Sequence, residues 1–132
     1  MSGIQIFTEI GSGELIDKIT ILEIKSERIA DEAKLVNVRT ELKVLSATRD
    51  EALQNIDGLE ALSVELRQVN EALWEIEDDI RACEAVGDFG QKFIDLARAV
   101  YVTNDKRAAL KKQINLLTGA NIIEEKSYTE FG

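Results

Sequence analysis

Apolar residues at Leu59, Leu62, Leu66, Val69, Leu73, Ile76, Ile80 and Cys83 alternate steps of three and four for three and a half heptads. A strand repeats every second residue and cannot collect these positions on one face, whereas an α-helix sets them in a single stripe. Gly87 follows, and a second stripe begins almost at once in Phe93, Leu96, Val100, Leu110, Ile114 and Leu117, closed by Gly119. So short a connection reverses the chain, so the two segments form an antiparallel hairpin of helices, each about 30 residues and about 45 Å long. Asp57 with Glu60, and Asp88 with Gln91, have the spacing of N-terminal caps for the two helices. No proline occurs anywhere in the chain to interrupt them.

Two further helices precede the hairpin. Ser12 is expected to cap the first at Gly13, with Glu14 in its positive first turn. Leu15, Ile16, Ile19, Leu22 and Ile29 keep helical spacing, and Ile21 with Ile24 widens the apolar surface beyond one stripe. A helix apolar on more than one side touches several neighbours, so this one is expected at the centre. Asp31 opens the next segment, where Leu35, Val38, Leu42, Leu45, Leu53 and Ile56 follow a heptad rhythm. Asp31 marks either a break between two helices or a bend in one. Upstream, Ile4, Ile6 and Ile10 alternate as a short strand would. The fold class expected is therefore all-α: an antiparallel long-helix bundle of three to four helices, coiled-coil-like, with room for one short N-terminal strand. The chain reads as a single helical domain over residues 1–132, with an arm at 1–11, a bundle at 12–118 and a tail at 119–132. The tail is expected either to pair with the arm or to dock over an end of the bundle.

Charge limits the partners. Sixteen basic and 25 acidic residues give a net charge of −9, which repels a phosphate backbone, so no nucleic acid partner is expected. The one basic concentration, Lys106, Arg107, Lys111 and Lys112, reads as a solvated helix face. Cys83 is the sole cysteine, which favours a reducing compartment. With no run near the roughly 20 apolar residues of a membrane span and no basic leader, the expectation is a cytoplasmic protein without membrane insertion.

Chemistry has few carriers. The absence of histidine removes Ser-His-Asp and Cys-His catalysis together with His-ligated zinc. Cys83 sits within the heptad stripe and reads as a buried small hydrophobe rather than a nucleophile. The segment GSGE at 11–14 suits an anion at a helix N-terminus, and capping explains it equally well. Residues 71–88 hold seven acids against one base, Arg81, a net −6. Acids near a helix C-terminus oppose its dipole. Compensation can come from basic residues on a neighbouring helix, from the N-terminus of the last helix, or from a hard cation such as Mg or Mn. In an antiparallel hairpin turning at Gly87, residue i faces roughly residue 175 − i. That register sets Trp74 near Tyr101, and Asn70 or Glu71 near Asn104 and Asp105, where Thr103, Asn104 and Arg107 interrupt the apolar stripe. Two polar breaks that meet form either a hydrogen-bonded network fixing register or the wall of a ligand pocket.

The segments GELIDKITILEIKSERI (13–29), NEALWEIEDDIRACE (70–84), VYVTNDKRAALKKQIN (100–115) and EEKSY (124–128) resemble a family of small bacterial and phage helical proteins, a domain of unknown function. The resemblance runs from Gly13 to Tyr128. It implies no activity, only a genomic setting often near surface-polysaccharide biosynthesis genes. The matching segments contain Glu14, Asp17, Lys18, Asn70, Trp74, Glu77, Asp78, Arg81, Asn104, Asp105 and Arg107. Glu14, Leu15, Lys18, Ile19 and Leu22 also resemble the opening helix of helical chorismate mutases, without their basic dicarboxylate pocket. Glu75 and Asp78 supply the ExxD of all-α nucleotide pyrophosphohydrolases, without the upstream ExxE.

The leading expectation is a helical interaction or assembly protein, a homo-oligomer or a partner of another protein through its helical surfaces. The alternative is a small-molecule binder, of nucleotide or nucleotide-sugar, or a metal-dependent enzyme with a polar pocket between the helices. Its ligand-binding residues would be Lys18, Asn70, Trp74, Glu77, Asp78, Tyr101, Asn104, Asp105 and Arg107, with Asp78 and Asp105 as candidate metal ligands. No cofactor is evident beyond that Mg or Mn.

Overall fold

A computed structural model describes residues 3–131, and Met1, Ser2 and Gly132 lie outside the described residues. Four helices follow one another: α1 (Ser12–Arg28), α2 (Glu32–Ala52), α3 (Leu59–Val86) and α4 (Gln91–Thr118). α3 and α4 form the long hairpin, and at 28 residues each they run about 42 Å. The turn between them rests on Gly87, whose φ of +71° an L side chain rarely adopts. Its N–H and that of Asp88 reach back to Glu84 and Cys83 carbonyls, satisfying groups the helix end would otherwise orphan.

α1 is the central element, in contact with α2, α3 and α4, while α2 packs on α1 alone. The apolar surface of α1 explains this. Ile16 and Ile19 are buried on one side, with Ile16 joining Leu59, Leu66, Leu110 and Ile114 in the core, and Ile24 is buried on another side. α2 buries only Leu35 and Val38 and leaves Val36 and Val44 exposed. Asp31 does separate two helices: its side chain accepts from the Lys34 N–H and caps α2. Beyond Arg28, which pairs with Glu75, α1 has ended and the hairpin continues as two helices whose only buried side chain, among the described residues, is Cys83. The heptad stripe there is half-exposed.

Several local expectations give way to other partners. Ser12 lies inside α1 rather than capping it, and its hydroxyl accepts from Thr118 at 2.7 Å. α3 begins after Gly58, in the left-handed region, rather than at Asp57. Asp88 does not cap α4: its carboxylate accepts from the Gly90 N–H, and Gln91 turns to Asp95 instead.

Among the described residues there is no strand. Residues 3–10 carry no regular structure and are exposed, because three alternating apolar residues have no second strand beside them. The tail does not supply one. It touches the arm through Asn121 and Glu9, 3.1 Å apart, and then runs back along α4 until Phe131 meets the Tyr101 ring edge-on at 5.1 Å. Among the described residues no helix is long and apolar enough to cross a membrane.

Candidate functional site

Asp17 follows Ile16 on α1 and is 1% exposed. It shares the stripe of Ile21 and Ile24, four and seven residues on, so the helix carries an acid into its own packed surface. Burying a carboxylate is costly unless partners replace its water. Arg107 of α4 supplies two: Nε donates to Oδ1 at 2.8 Å, and Nη2 donates to Oδ2. Asn70 of α3 adds a third, Nδ2 to Oδ1 at 3.0 Å, and Lys111 Nζ stands 3.9 Å from Oδ2. One carboxylate thus ties three helices together.

Asn70 is itself 4% exposed, and its amide nitrogen also donates to Thr20 Oγ1 at 2.9 Å. The Thr20 hydroxyl in turn donates to the Asp17 backbone carbonyl at 2.8 Å. Both Asn70 donors are therefore spent on α1, while its Oδ1 is buried with no hydrogen-bond partner. Lys111 extends the network outward, donating to Glu14 at 2.8 Å and to Glu124 of the tail at 3.1 Å. The hydrogen bond to Asp17 raises the Arg107 guanidinium above its ordinary pKa. Burial pulls Lys111 down, but its hydrogen bonds to Glu14 and Glu124 more than offset this and leave it raised. The Lys111 hydrogen bond holds the Glu124 carboxyl below its usual range.

The start of α1 is pinned close by. The Gly13 N–H donates to Asn115 Oδ1 at 2.8 Å, and a Cβ at Gly13 would lie 2.3 Å from the Lys111 carbonyl oxygen. The GSGE segment is thus a close helix crossing, in which one of the N–H groups an anion would use is already taken.

Beside the Asp17 network opens a groove of about 490 Å³ between α1, α3 and α4. Of the residues expected to bind a ligand, Asn70, Trp74, Glu77, Asp78, Asn104 and Arg107 all line it, joined by Ile21, Ile24 and Lys25 of α1 and by Leu73 and Arg81 of α3. The register 175 − i thus brings the Asn70 and Asn104 regions to one place. Tyr101 packs on Phe131 of the tail and is absent from the groove. The Trp74 ring instead takes the Arg28 guanidinium, 5.9 Å from its centroid. Lys18 points to solvent from the outer face of α1. Asp105 lines a separate space of about 680 Å³ between α4 and the tail, so Asp78 and Asp105 do not share a pocket. Among the described residues no three of His, Cys, Asp or Glu stand together as a metal site.

The acidic run of α3 finds basic partners. Glu71 pairs with Arg67, Glu75 with Arg28 of α1, and Glu77 with Arg81. Arg67 also reaches Glu27 of α1 at 2.6 Å, and these hydrogen bonds raise its pKa.

Sequence reasoning left Asp17, Thr20, Lys111 and Asn115 out of the site. Asp17 had a legible signal, an acid in step with Ile21 and Ile24. Asn115 had a weaker one, a polar residue next to Ile114 in an apolar stripe. Thr20 and Lys111 had none, since their partners lie on other helices.

No curated protein and no solved structure matches this chain. A family model does, over residues 6–131, which takes in all four helices, the buried carboxylate and the groove. The chain belongs to a family of unknown function, DUF6165.

Proposed function

We propose that the protein is a helical assembly module that associates with further copies of itself through its N-terminal arm. The observation carrying this reading is the exposure of Ile4, Ile6 and Phe7, at 95%, 87% and 87%. Three large apolar side chains on one short segment are costly to leave in water, and burying each is worth about 1.5–3 kcal/mol.

Geometry favours a second copy as the cover. The far end of the hairpin offers a matching apolar surface in Val86, Phe89 and Ile94. The arm leaves the body at Gly11, beside Asn115, and Asn115 is about 30 Å from Ile94 along α4. Ile6 and Phe7 lie within five residues of Gly11, a reach of at most about 18 Å. The arm of one chain therefore cannot cover its own hairpin end, and the two surfaces can meet only between copies. The arm also brings a single charge, Glu9, to the contact, which limits the repulsion between two chains of −9 each. A reducing, cytoplasmic setting suits the module, since its one thiol, Cys83, is buried and free.

Sedimentation velocity over a range of concentrations tests the reading, comparing the native chain with an Ile4→Ser, Ile6→Ser, Phe7→Ser variant. All three side chains are exposed, so the variant keeps its helical circular dichroism. The native chain is expected to sediment as a multiple of the monomer and the variant to shift to monomer. A native chain that is monomeric throughout, or a variant that assembles equally well, overturns the proposal.

A further inference from the structure

We propose that the groove between α1, α3 and α4 binds a small zwitterion: a molecule with an apolar body that carries both an ammonium and a carboxylate. The proposal rests on which groups around the groove already have partners. Arg107 directs Nε and Nη2 at Asp17, and Arg81 directs Nε at Glu77 at 3.2 Å. Asn70 has given both N–H groups to Asp17 and Thr20, and its nitrogen is turned to α1. The Asn104 amide and the outer N–H groups of the two arginines have no partner either but lie on side chains that are not buried, whereas the Asn70 carbonyl oxygen is a buried acceptor without a partner on a side chain 4% exposed. Asp78 and Lys25 remain too, one carboxylate and one ammonium on the groove with no ion pair among the described residues. Ile21, Ile24 and Leu73 give the space between them an apolar lining, beside the Trp74 ring.

Each simpler ligand leaves part of this unsatisfied. A neutral apolar molecule matches the lining and leaves a buried acceptor unpaired, a cost of about 1–3 kcal/mol. An anion answers Lys25 and is repelled by Asp78 and by the net charge of the chain. A cation answers Asn70 and Asp78 and leaves Lys25 facing it. A zwitterion meets all three: its ammonium donates to Asn70 Oδ1 and Asp78, its carboxylate accepts from Lys25, and its body covers the aliphatic side chains. The volume, about 490 Å³, is within the range of small-molecule sites, roughly 300–1,000 Å³. An apolar α-amino acid is the simplest molecule of this class.

Isothermal titration of the full chain with L-phenylalanine and L-leucine tests the site, against phenethylamine, which lacks the carboxylate, and N-acetyl-L-phenylalanine, which lacks the ammonium. At least one amino acid is expected to bind about tenfold or more tighter than either single-charge analogue. Asp78→Asn is expected to weaken amino-acid binding by about tenfold and to weaken the acetylated analogue not at all, since it removes a charge that repels its carboxylate. Lys25→Met should weaken it similarly and weaken phenethylamine not at all, since it removes an ammonium that faces the amine. Both positions lie outside the Asp17 network, so these variants fold. Absence of binding by either amino acid at millimolar concentration, or equal binding of an amino acid and its single-charge analogues, overturns the proposal. The site does not depend on the arm, so the Ile4, Ile6, Phe7 variant should bind as the native chain does.

Discussion

Arg107 holds Asp17 by two parallel hydrogen bonds, Nε to Oδ1 at 2.8 Å and Nη2 to Oδ2, across the crossing of α1 and α4. The acid is fully buried and the guanidinium largely so, at 1% and 29% side-chain exposure. A buried ion pair contributes less to stability than its Coulomb attraction suggests, because both charges have lost their water. Its disruption is nonetheless severe. Arg107→Met leaves the Asp17 carboxylate inside the protein with too few partners, and unfolding free energy is expected to fall by about 3–5 kcal/mol. Asp17→Leu combined with Arg107→Met should recover most of that loss. Urea denaturation of the single and double variants measures both, and a double variant as unstable as the sum of the singles would contradict this account.

The crossing of Gly13 with Lys111 is a backbone contact, and no side chain can yield to relieve it. Gly13→Ala places a methyl group 2.3 Å from a carbonyl oxygen, so α1 must lift from α4. The expected cost is about 1–3 kcal/mol, seen as a lower thermal midpoint by circular dichroism. Asn115→Ala removes the acceptor of the Gly13 N–H and should cost a similar amount, about 1–3 kcal/mol. Because both changes act on one contact, their combination should cost less than the sum.

The tail is held to α4 partly by Lys111 and Glu124, so its docking depends on pH. Glu124 is lowered in the folded chain by the Lys111 hydrogen bond, and Lys111 is raised by Glu14 and Glu124 against its burial. The depressed carboxyl stabilises docking above its unfolded value and loses that effect as pH falls through the folded one. The raised ammonium stabilises below its unfolded value and loses that effect as pH climbs through the folded one. Docking is therefore expected to hold from mildly acidic to mildly alkaline pH and to weaken below the ordinary glutamate range, about 4.3. Nuclear magnetic resonance shifts of the Tyr101 ring, which packs on Phe131, should move with that acidic transition. A ring environment constant through it would show that the tail is held by other contacts.

Cys83 is the one fully buried side chain in the outer half of the hairpin among the described residues. Its thiol should react with an alkylating reagent only when the hairpin opens, far more slowly than in urea. Mass spectrometry of timed samples measures this. Labelling of the native chain as fast as of the unfolded one would place Cys83 at the surface.

Much of the fold was legible because its signals are local. Leu59, Leu66 and Cys83 keep heptad spacing and are buried, and Gly87 stands where the chain reverses. The groove was half-legible for the same reason. A hairpin register is set by counting from its turn, so spacing sets Asn70 near Asn104, with Trp74 one turn along α3 and Arg107 one turn along α4, but it sets Glu77 and Asp78 opposite Arg98 and Ala97. Counting from the turn says nothing of a third element. Asn70 is bonded to Asp17 and Thr20 of α1, and Tyr101 is drawn to Phe131 of the tail, both contacts outside the hairpin. The arm misled through a true pattern. Alternation in Ile4, Ile6 and Ile10 fits a strand, but a strand needs a neighbour, and pairing is not written in one segment.

The Asp17–Arg107 pair spans 90 residues, and this has a consequence for the order of events at the ribosome. At a synthesis rate of about 5–20 residues per second, α1 waits roughly 5–18 s for the residue that neutralises it. Throughout that interval Asp17 lacks its counter-charge, although Asn70 of α3 is made earlier, and the bare acid is expected to keep the helix hydrated and to discourage premature collapse onto α2 or a neighbouring nascent chain. The charge that fastens the finished molecule is thus expected to act also as a timer, delaying the closing of the core until the last helix has been made.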